Sequence, residues 1–168
     1  ATVAGVEVEI RKNLFVRPLS SAANGMNKLS FGLNGSYIYT NAKMPLATVT
    51  TGSQLEGAAP WIANFDLSHN FTKGNHSFIN TLVFNYVSDK IYTIGTQGYQ
   101  DIIEQGMMTL DFVSQAKLNK YVSLTLKARN LLNPSYKLSR KANESGEKVV
   151  LSDYKKGINI SLGVSCTF

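Results

Sequence analysis

Apolar and polar residues alternate with a period of two along most of the chain, the pattern of a strand with one face hidden from water. Val6 to Ile10 alternate with Glu7, Glu9 and Arg11. Phe31 to Thr40 and Trp61 to Phe71 repeat the pattern at greater length. Phe78 to Tyr86 is noisier, with Asn80 among the apolar positions and Ile79 and Val83 among the polar ones. Met108 to Leu118, Val122 to Arg129 and Ile158 to Phe168 complete the set, the last being the cleanest. Almost nothing repeats at helical spacing. These segments predict an all-β chain.

Within these segments the apolar faces carry no charge, whereas Glu7, Glu9, Arg11, Asp66, Asp111, Lys117, Lys127 and Arg129 fall on the polar faces. Several segments run about ten residues, enough to cross a bilayer when tilted. Aromatic residues gather towards strand ends, with Tyr37, Tyr39, Trp61 and Tyr86 at one level. Phe31, Phe71, Phe78, Tyr121 and Phe168 are expected at the other, as girdles at two membrane interfaces require. Short turns are expected at Thr72–Asn75 and Asn119–Tyr121. The long connections all fall at the opposite end, the asymmetry of outer-membrane barrels. The predicted fold is an antiparallel transmembrane β-barrel. Its first and last strands would both run inwards. Closure with an even strand count therefore calls for strands upstream, or for an eighth strand hidden in Thr2–Gly5 or Lys148–Leu151.

Composition narrows this little further. The hydrophobic fraction is 43%, and no apolar run reaches the roughly 20 residues of a membrane helix. The net charge of +6 raises the question of nucleic acid. The basic residues, however, cluster with acidic ones around Lys137–Lys156, as in a solvated loop, and nucleic acid is set aside. The lone Cys166 supplies neither a disulfide framework nor a metal cluster, and its side chain is expected to face lipid.

GVEVEIRKNL at Gly5–Leu14, LSFGLNGSYIYTNAKM, LEGAAPWIANFDLSHNF, FNYVSDKIYTIG, LKARNLLNPSY and YKKGINISLGVSCTF follow one another along the chain. In this order they resemble the late barrel strands of TonB-dependent outer-membrane receptors. The final Phe168, with apolar residues at alternating positions before it, is similar to the signal read by the barrel assembly machinery, although Cys166 stands where an aromatic is usual. The resemblance implies a barrel of about 22 strands around a plugged lumen, of which residues 1–168 supply about seven C-terminal strands. The plug and the N-terminal strands would lie outside these residues. It also implies energised uptake of a scarce nutrient (ferric siderophore, haem, cobalamin, sugar or peptide) in the bacterial outer membrane. The implied partners are lipid and lipopolysaccharide, the TonB energy-coupling complex acting through the plug, and a surface lipoprotein.

Site chemistry is sparse. No nucleophile elbow, phosphate loop, dinucleotide fingerprint or metal-ligand spacing occurs, so neither an enzyme nor a resident cofactor is expected. His69 and His76 read as an interface and a turn residue. If the fifth and sixth segments turn through Asn119–Tyr121, facing residue numbers sum to 240, and Asp111 faces Arg129 on the polar side. That pair reads first as a register-setting ion pair and second as a ligand contact. Tyr92, Tyr99, Tyr136 and Tyr154, on the long connections, are the candidates for stacking on a ligand. Other classes remain open: a small eight-stranded barrel serving as adhesin or structural envelope protein, and a soluble β-protein holding an apolar ligand.

Overall fold

The computed structural model describes residues 1–19, 25–42, 54–142 and 146–167. Every regular element among them is a strand: β1 (Thr2–Leu19), β2 (Gly25–Asn41), β3 (Trp61–Lys73), β4 (His76–Val87), β5 (Lys90–Thr93), β6 (Ile102–Glu104), β7 (Met107–Lys117), β8 (Val122–Arg129), β9 (Ser135–Lys141), β10 (Lys148–Lys155) and β11 (Asn159–Cys166). They form an antiparallel seven-stranded sheet, β1-β2-β3-β4-β7-β8-β11, and a four-stranded sheet, β10-β9-β6-β5. The larger sheet contains all seven segments read from the period-two pattern. It is an open meander: β1 and β11 are its edges and do not pair with one another.

Cross-strand register makes the alternation continuous across the sheet. One row runs Phe31, Leu67, Leu82, Phe112, Ala128 and Ile160, each directly opposite the next. The row nearer the long connections carries Leu33, Phe65, Phe84 and Leu110. None of the described residues packs over this face: Ile160, Leu162 and Val164 are 69%, 71% and 63% exposed. The chain exposes 11301 Å², against about 8,200 Å² for a compact monomer of this length. A sheet with one apolar face has to bury it on something. Each such side chain removed from water contributes roughly 1.5–3 kcal/mol.

Two polar pairs interrupt the apolar face and satisfy each other. Asn80, out of pattern in the sequence, accepts a hydrogen bond from Ser114 Oγ at 2.7 Å. His69 Nε2 lies 2.8 Å from Asn27 Oδ1, and His69 sits directly opposite Asn80. The other face carries a lateral ladder of amides and hydroxyls. Asn34 Nδ2 donates to Glu7 at 2.6 Å, Asn64 Nδ2 to Asn34 at 3.3 Å and Asn85 Nδ2 to Thr109 at 3.2 Å. Beside it Arg11 pairs with Glu9, and the Asp66 carboxylate lies over Gly32.

The turn at Gly74–Asn75 is tight because Gly74, at φ 57, takes the left-handed conformation at its first position. In the second turn Asn119 Oδ1 accepts from the amides of Tyr121 and Val122, both at 2.8 Å. Rings meet at both ends of the apolar face, Tyr37 on Trp61 at 4.5 Å and Phe71 on Phe78 at 6.4 Å. Phe31 does not belong to the turn-side group. It stacks on Phe65 at mid-height, at 6.5 Å, because β1 and β2 pair on to Leu19 and Gly25, well past the point where their alternation fades. That extension also brings Lys12 opposite Phe31, on the apolar face of an edge strand. A bulge between Asn13 and Phe15 then returns Phe15 to the apolar side. Phe168 and its expected assembly role lie outside the described residues.

Neither candidate eighth strand joins the large sheet as an extra strand. Thr2–Gly5 is the start of β1, and Lys148–Leu151 belongs to β10 in the smaller sheet.

Candidate functional site

The long connections fold on one another. The segment between β4 and β7 supplies β5 and β6, the segment between β8 and β11 supplies β9 and β10, and β6 pairs with β9 to join them. Gln105 N donates to Lys137 O at 2.9 Å beside that pairing. The connection between β2 and β3 is stapled on through Glu56 and Gly57. Glu56 accepts from Ile94 N at 2.7 Å, and Gly57 N donates to Ile91 O at 2.8 Å. The buried side chains of the described residues gather at this end, Thr40, Ala42, Ala59, Ile91, Ile94 and Ser139, while in mid-sheet only the glycine Gly32 is buried. The rim has a core, whereas the large sheet has none.

On one face of the rim the acid–base partners form a chain. Lys90 Nζ lies 3.1 Å from Glu104 Oε1, and Tyr136 donates its hydroxyl to Glu104 Oε2 at 3.1 Å. Tyr136 packs on Tyr154, its cross-strand partner, at 5.0 Å, with Lys156 5.6 Å from its ring. Burial pushes the Tyr136 phenol above its usual range, and the hydrogen bond and charge of Glu104 push it further. The Tyr154 and Tyr92 phenols act in the same direction. Tyr99 stands apart, beneath Arg140 at 4.9 Å.

Two cavities open at this rim. One, of about 380 Å³, is bordered by Asp89, Asp101, Ser139, Arg140, Lys141 and Lys148. Its carboxylates are held by the backbone: Asp89 accepts from Gly106 N at 2.6 Å and Asp101 from Gly95 N at 2.7 Å. The other, of about 360 Å³, lies where rim and sheet meet and is bordered by Asp111, Arg129, Asn130, Tyr136, Lys156 and Asn159. No group of three or more His, Cys, Asp or Glu among the described residues is arranged to hold a metal.

The β7–β8 register sums to 240, as the turn at Asn119–Tyr121 predicts. The expected ion pair does not form. Asp111 Oδ1 instead accepts from Asn130 N at 2.8 Å, and the ion pairs of the described residues do not include Arg129. A backbone N–H fixed by the left-handed Asn130, φ 59, outcompetes a guanidinium on a flexible, exposed stem. Asp111, Arg129 and Tyr136 thus share one cavity. Tyr154 reaches it only through Tyr136, and Tyr92 and Tyr99 are not among its lining residues. Alternation puts Asn159 on the polar face of the last strand but does not point to Lys156 or Glu104 as site residues. A sequence signal for the approach of the last connection is the Asn130–Asn133 pair ahead of Pro134, which marks a tight turn.

No protein-family model, curated protein or solved structure matches the chain.

Proposed function

We propose that the chain forms part of the wall, rim and lumen lining of a bacterial outer-membrane β-barrel of the TonB-dependent receptor type, serving energised uptake of a scarce nutrient. The observation that carries this reading is the uncovered apolar face running through all seven strands of the large sheet. From Trp61 to Phe71 along β3 it extends about 34 Å, which a tilt near 40° reduces to about 26 Å, the height of a lipid-facing band. The resemblance in the order of segments supplies the family. The amide and hydroxyl ladder then faces the lumen, and the folded connections form the outer rim that meets the ligand.

Six successive antiparallel pairings leave β1 and β11 running in the same direction. An all-antiparallel wall including them needs an odd number of further strands between these edges, which agrees with a large barrel. The partners in this reading are lipid and lipopolysaccharide outside the wall, the TonB complex acting through a plug, the assembly machinery acting on Phe168, and a surface lipoprotein at the rim.

The reading is tested with Leu82→Arg in the middle of the apolar face and Thr81→Arg on the opposite face. A charge at the membrane midplane costs about 2–4 kcal/mol on the lipid side and little in a lumen. Leu82→Arg is expected to abolish insertion into phospholipid vesicles, scored by flotation and protease protection, while Thr81→Arg inserts normally. Equal insertion of both variants would sink the lipid-facing assignment.

A further inference from the structure

We propose that the cavity between rim and sheet is a binding site for a small ring-bearing oxyanion, a carboxylate or a phosphate. This deepens the uptake reading, on which only its route of access, from the lumen side, rests.

Charge is the first argument. Arg129 and Lys156 face this cavity and Asp111 is the carboxylate beside them, so its lining is net positive. Asp111 is held by Asn130 N. Lys156 has the Tyr136 ring rather than an anion as its neighbour, and Arg129 has no carboxylate partner among the described residues. A guanidinium offers a planar fork of donors that matches a carboxylate or phosphate in two parallel bonds. Asn159, directly opposite Arg129 across β8 and β11, adds an amide at the same level.

Rigidity is the second. Asn130 Nδ2 donates to Gly157 O at 2.7 Å, Gly157 N donates to Asn133 Oδ1 at 3.0 Å, and Leu131 N donates to Leu110 O at 2.8 Å. Asn130 and Asn133 are both left-handed, at φ 59 and φ 44. Side-chain-locked backbone of this kind holds a binding geometry before the ligand arrives. The Asp111 carboxylate is thereby structural, and among the described residues neither cation has a carboxylate partner to give up to an incoming anion.

Shape and surface complete the case. A volume of about 360 Å³ falls in the range of small-ligand pockets. Tyr136, held by Glu104 and backed by Tyr154, presents an aromatic surface on which a planar ring stacks. One oxyanion on Arg129 and one ring on Tyr136 is the ligand this wall fits. A bare divalent cation would meet two positive charges and a single, already bonded carboxylate.

The test is calorimetry on the full chain in detergent micelles with benzoate, phenyl phosphate and neutral benzyl alcohol as probes. Saturable binding of at least one anion and none of benzyl alcohol is expected, and the preferred anion identifies the ligand as carboxylate or phosphate. Arg129→Gln should weaken that anion about tenfold or more, Lys156→Gln should do the same, and Arg129→Lys should recover part of the loss. Near-UV circular dichroism confirms that each variant keeps its fold. Absence of saturable anion binding, or unchanged binding in both glutamine variants, overturns the site. Flotation with vesicles on the same samples separates the two readings. Loss of the site with insertion intact removes this inference alone, and binding without insertion keeps the site while removing the membrane assignment.

Discussion

The Tyr136 phenol joins the proposed site to the rim, since it borders the cavity and donates to Glu104 at 3.1 Å. The folded rim stabilises its neutral form, so its pKa lies above the ordinary value. Its contribution is therefore complete below about pH 10 and is lost as pH rises through the higher folded value. Glu104→Gln removes the charge and weakens the hydrogen-bond acceptor, and should bring the Tyr136 transition down towards the normal range. Ultraviolet difference titration against Tyr136→Phe isolates that single phenol. An unshifted titration in Glu104→Gln would mean that burial alone holds the proton. Asn130 carries a different load, because its side chain holds Gly157 O and its backbone sits at φ 59. Asn130→Ala loses the bond and keeps an unfavourable conformation, for a cost of about 1–3 kcal/mol. Hydrogen exchange at the Gly157 amide should accelerate well before any amide in β3 or β4.

At the scale of elements, the large sheet and the rim differ in what holds them, and a substitution at Gly95 separates them. A Cβ on Gly95 would collide with Tyr99 O and the Gln100 carbonyl, both backbone atoms, so the turn itself would have to shift. Gly95→Ala is expected to open the turn between β5 and β6 at a cost of about 1–3 kcal/mol. The pairing of β6 with β9 should loosen while the seven-stranded sheet keeps its protection, as read by amide exchange in micelles. The same division explains what alternation reveals. Ile158 to Cys166 announces itself because every second residue faces one continuous environment and the strand is long enough to repeat. β5 and β6 span only four and three residues, too short for a period to show. Both β5–β6 and β9–β10 carry register shifts that break the phase. The buried positions Ile91 and Ser139 become a core only when two connections distant in sequence meet. The cavity was half legible for the same reason: strand register places Asp111 and Arg129 on one side, but the folding of the connections delivers Tyr136 and Lys156.

For the whole molecule the two outer edges of the large sheet decide how the wall closes. β1 and β11 run in the same direction, and among the described residues the outer edge of each has no partner strand. Exposed edges of this kind recruit strands. Direct closure of β1 on β11 would require a parallel pairing in an otherwise antiparallel wall. A second copy related by rotation about the barrel axis would offer the same parallel geometry, so neither route restores the pattern of the sheet. Cys166, a free thiol on the apolar face of β11, provides a built-in probe. Single cysteines at Val6, Val8, Ile10 or Phe15 on the same face of β1 would bridge to it only if the edges meet, since a disulfide needs Cα atoms within about 7 Å. In the membrane-inserted protein under mild oxidation, no intramolecular bridge is expected at any of the four positions. Efficient bridging at one of them, seen as a reducible mobility shift independent of protein concentration, would mean that the seven strands close on themselves. The lumen would then be too narrow for a plug, and the uptake reading would give way to that of a small structural barrel.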